Sequence, residues 1–434
     1  MSRLAALRRL ASKPLVRHGL LSYGFTASIL VVNLATGILV ARVLGADGRG
    51  EVTAIVTITL VLVYTFAMGG SRAVAFHQSQ HPEDAARLLG TWLALSVVLG
   101  TIGVAVGQLL LPVLLAAQSD AVLDLARIFM FTLFLTMAAE PLYGVLLGDQ
   151  DFLFWNAQRF AQPVLTVIGY VVLWRTGELT VESALVVMAV AGVMTSGATG
   201  VRVLRRHGLG RPSVPLGKKT LWYGVRIQAG TLTVIVNARL DLLIMPAYLA
   251  AASVGLYAVA TSLAWVVAQL SGALWWLVLP AAARRPDKTR ETVLASLYAT
   301  LAVGATFALV LGLAASVAIT AVYGEEFKDA AEPLRLMLPG VVLQTTGSML
   351  ASGMSGSGRP FASALPSLFG AILTVIGLLI FLPSGGINAA AIVTSVAYGA
   401  TMIFGIFVYK HVTDTPWRKL LTSPRRLIAE INDG

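Results

Sequence analysis

Cysteine is absent from the 434 residues, so no disulfide braces this chain and no thiolate operates in it. Charge is scarce as well. Only 12% of residues are charged against 57% hydrophobic, where a soluble domain carries about 25% charge. A chain so poor in charge cannot cover itself with a wetted surface, and its mean hydropathy of +0.80 points to lipid. Also missing are the short alternating segments of about ten residues that build a transmembrane barrel. The apolar residues instead form unbroken runs near or above the ~20 that cross a bilayer as a helix. "LLSYGFTASILVVNLATGILVARVL" and "ETVLASLYATLAVGATFALVLGLAASVAIT" are two of them. The expected fold is all-α and integral to a membrane.

Catalytic furniture is equally sparse. The five histidines, His18, His77, His81, His207 and His411, are scattered near span ends and form no ligand cluster. No paired carboxylates, Ser/His constellation or large loop is present, and neither a metal nor an enzyme activity is expected. "GADGRG" and "GMSGSGRP" lack the Gly-Lys-Ser/Thr ending of a phosphate loop and read as tight turns. The formal net charge of +11 suggests nucleic acid only until its distribution is considered, because the basic residues lie between the apolar runs.

Twelve spans fit those runs: 20–44, 52–75, 88–117, 121–147, 157–175, 183–204, 221–246, 253–280, 292–322, 333–352, 361–382 and 387–409. The tenth is the most polar, interrupted by Pro339 and Gly347. Basic residues orient the set, since cytoplasmic connections are enriched in Lys and Arg. An inside N-terminus puts Arg3, Arg8, Arg9, Lys13 and Arg17 in the cytoplasm. It does the same for the group from Arg202 to Lys219, for Arg284, Arg285, Lys288 and Arg290, and for Lys410, Arg418, Lys419, Arg425 and Arg426. The outer loop "YGEEFKDAAEPLR" is acidic. Both termini are expected in the cytoplasm. Trp222 and Tyr223, Trp275 and Trp276, and Trp174 fall at span ends, where aromatic residues gather.

The longest charged connection, "RVLRRHGLGRPSVPLGKKT", separates six spans from six. The expected organisation is a basic cytoplasmic segment 1–19, an N-terminal lobe 20–204, a linker 205–220, a C-terminal lobe 221–409 and a cytoplasmic tail 410–434. "SYG" at 22–24 pairs with "WYG" at 222–224, and "LVAR" at 39–42 with "VNAR" at 236–239. An even number of spans per half makes the repeats parallel, which is a transporter architecture: two six-helix bundles flanking a central cavity.

The chain resembles the multidrug/oligosaccharidyl-lipid/polysaccharide exporter superfamily, and within it the polysaccharide flippases. The likeness rests on "ARVLGADGRGEV" after span one, on Arg239 and Asp241 followed by "VGLYAVATSLA", on "YGEEFKDA", on "SGSGRP", and on "LLGDQDFLFWN" after span four. Membership would imply an undecaprenyl-pyrophosphate-linked oligosaccharide, for O-antigen or exopolysaccharide, carried from the inner to the outer leaflet of a bacterial inner membrane. It would imply membrane lipids as surroundings, a polysaccharide polymerase and assembly proteins as partners, and no nucleic acid. A drug or metabolite exporter of the same superfamily stays open. A polysaccharide polymerase or ligase would need a large outer loop that this topology lacks.

Ionisable groups at membrane depth default to functional candidates. Arg72, Arg226, Arg159 and Arg87 collect at the inner ends, where guanidinium forks suit a pyrophosphate; the alternative is that they snorkel to lipid phosphates. Arg42 and Arg239 hold comparable outer places in the two repeats and, with Asp241, are candidates for a late route or gate. On a continuous helix Arg239 and Asp241, two residues apart, would point to different faces. Glu140, before a kink expected at Pro141, is the candidate for H+ or Na+ coupling, with membrane potential as the other driving force. No cofactor is expected.

Overall fold

The computed structural model describes residues 14–272, 289–356 and 359–420, and among them it is helical with no strand. The helices are α1 (Pro14–Phe66), α2 (Gly70–Gln80), α3 (Ala85–Leu114), α4 (Asp120–Phe129), α5 (Thr132–Gly148), α6 (Phe152–Thr176) and α7 (Val181–His207). Then come α8 (Val214–Asn237), α9 (Leu240–Ile244), α10 (Ala251–Gly272), α11 (Thr289–Tyr323), α12 (Ala331–Gly356), α13 (Pro360–Thr413) and α14 (Trp417–Leu420). Arg3, Arg8, Arg9, Lys13, Trp275, Trp276, Arg284, Arg285, Lys288, Arg425 and Arg426 lie outside the described residues, as do the side chains of Arg17, Arg290 and Lys419.

Seven described stretches are long and apolar enough to cross a membrane. Two of them hold two spans each. α1 breaks at Gly45 (φ 68°, ψ −170°) and α13 at Gly386 (φ 59°, ψ −149°), backbone conformations that glycine reaches without a Cβ penalty. The more polar α6, α8 and α12 complete the twelve expected spans.

Several boundaries differ from the sequence reading. The second span ends at Phe66, not 75, because Met68 and Gly69 turn through positive φ (48° and 67°) and start the separate helix α2. The fourth span is interrupted at 130–131, between α4 and α5, and α5 runs on through Pro141. Proline removes the N–H that would serve the Met137 carbonyl, and Ser96 Oγ stands 2.9 Å from that carbonyl and 2.7 Å from the Trp92 carbonyl, sharing its one hydrogen between them. A hydroxyl from a neighbouring helix thus offers the freed group a shared donor. The seventh span is not one helix: α8 stops at Asn237 and α9 starts at Leu240. Of the expected linker, only 208–213 lie between helices. α7 runs to His207 because Arg205, Arg206 and His207 complement its C-terminal dipole.

The chain divides into two compact units. The first holds the described residues before Gly45, Ile58–Val113 and Ser119–Ala229; the second holds Gly45–Thr57, Leu114–Gln118 and the described residues from Gly230 on. In the first, Trp92 is buried among Leu88, Leu89, Val145 and Leu146 and donates its Nε1–H to Thr220 at 3.1 Å. In the second, Val293, Leu294, Leu350 and Met354 pack around Tyr409. Two short pieces of the N-terminal half build into this unit. Gln118 donates to the carbonyls of Pro246 (3.1 Å) and Leu249 (2.8 Å). Gly50 and Gly255 face each other so closely that a Cβ on either would strike backbone of the other helix, the Ala251 or the Ala46 carbonyl.

Candidate functional site

Within the first unit, the missing side chain of Gly144 lets α5 close on Ser71 and Val74 of α2. That approach sets Glu140 beside the start of α2, where its carboxylate accepts the Ser71 N–H at 3.3 Å and interacts electrostatically with Arg72. One turn further, Tyr143 hydrogen-bonds Ser196 of α7 and interacts with both Glu140 and Arg159. The Arg159 guanidinium stacks 4.5 Å over the Trp155 ring. Arg72 and Arg159 are both exposed. The structure therefore gathers Arg72, Glu140 and Arg159, three of the residues singled out from sequence, with Tyr143 and Ser196 between them.

The other singled-out arginines make different contacts. Arg226 lies 4.6 Å over the Trp222 ring one turn earlier on α8. Arg87 reaches Asp84 at 3.5 Å, a solvated pair three residues apart. Arg42 is exposed on α1, three residues before the Gly45 break.

A tighter charged knot sits where α5 turns into α6. Asp149 accepts Gln78 at 2.5 Å and pairs with Arg206 (3.2 Å) and His207 (2.8 Å), while Asp151 takes Arg202 at 2.6 Å. Gln150 between them has φ 59°. This is what "LLGDQDFLFWN" builds: a clamp on the end of α7. Its partners lie more than 50 residues away on either side, which hides the clamp from local sequence reading.

In the second unit, Arg239 lies in the break between α8 and α9 and Asp241 in the first turn of α9. Arg239 has φ −133° and ψ 1°, so the different faces expected of the two on a continuous helix do not apply. Asp241 is buried and fully engaged: Oδ2 accepts Tyr257 Oη–H at 2.7 Å and Oδ1 accepts the Leu242 N–H at 2.8 Å. Tyr257 in turn contacts Thr394 Oγ1 at 3.4 Å. Beyond Arg239 and Asp241 a cavity of about 310 Å³ opens between α10 and α12, with Thr394 and Tyr398 of α13 at its side. Its walls include Trp265, Gln269 and Gln344, none of which stood out in the sequence. The signal that could have found them is helical spacing of polar residues within an apolar span.

The fold is that of a transporter class. At 13% identity, 95% of this chain overlays 92% of "Lipid II flippase MurJ, inward closed conformation" with a TM-score of 0.78. At 16% identity, 89% overlays 96% of an inward-facing multidrug resistance MATE family transporter of the MOP superfamily, TM-score 0.69. A MOP superfamily transporter from Pyrococcus furiosus matches at TM-score 0.56 and 16% identity, over 92% of this chain and 94% of that one. No curated protein matches significantly by sequence.

Within that class, the chain belongs to the polysaccharide biosynthesis protein family, whose pattern covers residues 39–332. Its described residues include seven stretches long and apolar enough to cross a membrane, and its fold is the one those solved transporters share.

Proposed function

We propose that the chain flips a polyprenyl-pyrophosphate-linked oligosaccharide, undecaprenyl in bacteria, from the cytoplasmic to the outer leaflet by alternating access. The observation that carries this reading is the placement of Arg72 against the Glu140 carboxylate and of Arg159 against Tyr143, one turn along the same helix. Two guanidinium groups against one carboxylate leave net positive charge, which favours an anionic headgroup over a cationic drug. Arg226 and Arg87 extend the positive character of the same unit; Arg42, Arg239 and Asp241 belong to the later part of the route. Glu140, beside Arg72, is the group through which H+ or Na+ coupling would act. The distribution of Lys and Arg supports a plasma-membrane orientation with both termini in the cytoplasm, and the family supports an O-antigen or exopolysaccharide pathway with its polymerase.

Deleting the gene should cause the undecaprenyl-linked repeat unit to accumulate on the inner leaflet, and Arg72→Ala or Arg159→Ala should fail to restore flipping. Unchanged levels of the lipid-linked repeat in the deletion strain would overturn the reading. The structural likeness to multidrug transporters favours drug export as the second reading. Its signature would be sensitivity to cationic dyes on deletion, with envelope glycans intact.

A further inference from the structure

The cavity of the second unit has walls of unusual regularity. α10 presents Thr261, Ala264, Trp265, Ala268, Gln269 and Gly272, spaced i, i+3, i+4, i+7, i+8 and i+11. α12 presents Val341, Gln344, Thr345, Ser348, Met349 and Ser352 with the same spacing. Each set is one continuous helical face, so the cavity is a slot between two parallel stripes. α10 contributes an indole to it, and α12 a row of amide and hydroxyl groups.

The hydroxyls on α12 have a defined polarity. Thr345 donates to Val341 O (2.8 Å), Ser348 to Thr345 O (2.6 Å) and Ser352 to Ser348 O (2.9 Å). A hydroxyl has one hydrogen and two lone pairs. Each of these spends its hydrogen on its own helix and turns acceptor capacity to the slot. Gln269 and Gln344 add amides that both donate and accept. Trp265 is 39% exposed and, with Met337 and Met349, supplies an apolar surface in the same slot. Arg239 and Asp241 are the charged groups of the lining. Asp241 accepts from Tyr257 and Leu242, and Arg239, which faces Asp241 and Tyr398 electrostatically, is the cation of the slot.

Acceptor-lined walls select a ligand rich in hydroxyl donors, and an aromatic face selects one that also has an apolar C–H surface. A sugar ring has both. The volume of about 310 Å³ stands at the low end of the roughly 300–1,000 Å³ of small-molecule pockets, room for a mono- or disaccharide. A uronate would set its carboxylate against the oxygen lone pairs of α12. Resting on the flippase reading, we propose that this slot is a sugar subsite that takes the uncharged sugar next to the pyrophosphate, with Arg239 at the phosphate end.

The test uses full-length protein in lipid nanodiscs and three probes: farnesyl pyrophosphate, farnesyl-pyrophosphoryl glucose and farnesyl-pyrophosphoryl glucuronate. The glucose lipid should bind about tenfold tighter than the other two, the effect of a few neutral hydrogen bonds and one ring contact. Trp265→Ala and Gln344→Ala should each cut that advantage about three- to tenfold and leave the affinity for farnesyl pyrophosphate unchanged. Trp265→Phe, which keeps an aromatic face, should retain the preference and separates lost contact from lost folding. If glucose adds nothing in the wild type, if glucuronate binds equally well, or if the variants weaken all three lipids alike, the subsite is overturned while the flippase reading stands. Absence of binding for all three lipids overturns both.

Discussion

Glu326 Oε1 accepts the backbone N–H of Ala46 at 2.7 Å, across 280 residues of sequence. Ala46 opens the second arm of α1 directly after the Gly45 break, so the carboxylate caps a helix N-terminus, where a negative charge is favoured. Gly45 makes room for it: a Cβ there would stand 2.9 Å from the same oxygen.

Glu326→Ala should destabilise the protein by about 1 kcal/mol, and Glu326→Gln by less because the amide oxygen still accepts. Thermal unfolding in detergent should rank wild type above Gln above Ala. Equal melting temperatures for all three would show that the cap contributes nothing.

Gly50 and Gly255 are the close-contact point between α1 and α10. Gly50→Ala or Gly255→Ala forces a methyl into backbone that cannot rotate away, at a cost of about 1–3 kcal/mol. A methyl on Gly197 would meet nothing within 4 Å, and the backbone there is helical, so Gly197→Ala should be neutral or slightly stabilising. Monodisperse yield on size exclusion, with the melting temperature, reads the contrast.

Asp241 and Tyr257 form a buried pair joining α9 to α10. Tyr257→Phe should cost about 1–2 kcal/mol by leaving a carboxylate oxygen unserved. Adding Asp241→Asn should cost less than the two single changes summed, because the partners share one interaction. Strict additivity in the double-mutant cycle would contradict the pairing.

Ser96 shares its hydroxyl hydrogen between the Trp92 carbonyl and the Met137 carbonyl that Pro141 leaves without its helical donor. Ser96→Ala should therefore destabilise the natural sequence by about 1 kcal/mol. In a Pro141→Ala background the effect should shrink, since the new N–H at 141 reaches the Met137 carbonyl itself. The same loss in both backgrounds would assign Ser96 another role.

The span count was legible because a bilayer imposes a length and a composition on each crossing, and both can be read from a local window. The exact ends were less legible. Met68, Gly69 and residues 130–131 interrupt helices at places where hydropathy continues unbroken, and Pro141, the expected kink, is bridged by a hydroxyl from another helix. Arg72, Arg159 and Glu140 were visible individually as charges in apolar surroundings. That they converge about Tyr143 depends on how α2, α5, α6 and α7 pack. Trp265, Gln269 and Gln344 were obscured because single polar residues within spans are common, and only their shared cavity distinguishes them.

Composition and hydropathy thus determined the expectation of a helical membrane protein of twelve spans, and short motifs pointed to the superfamily whose fold it shares, since these are properties of segments considered one at a time. Which motifs touch was decided by tertiary structure alone. Gly45 and Ala46 meet Glu326, Gly50 meets Gly255, and Asp241 meets Tyr257. Such contacts join segments separated in sequence, and their geometry follows from helix breaks and side-chain directions that no local pattern encodes.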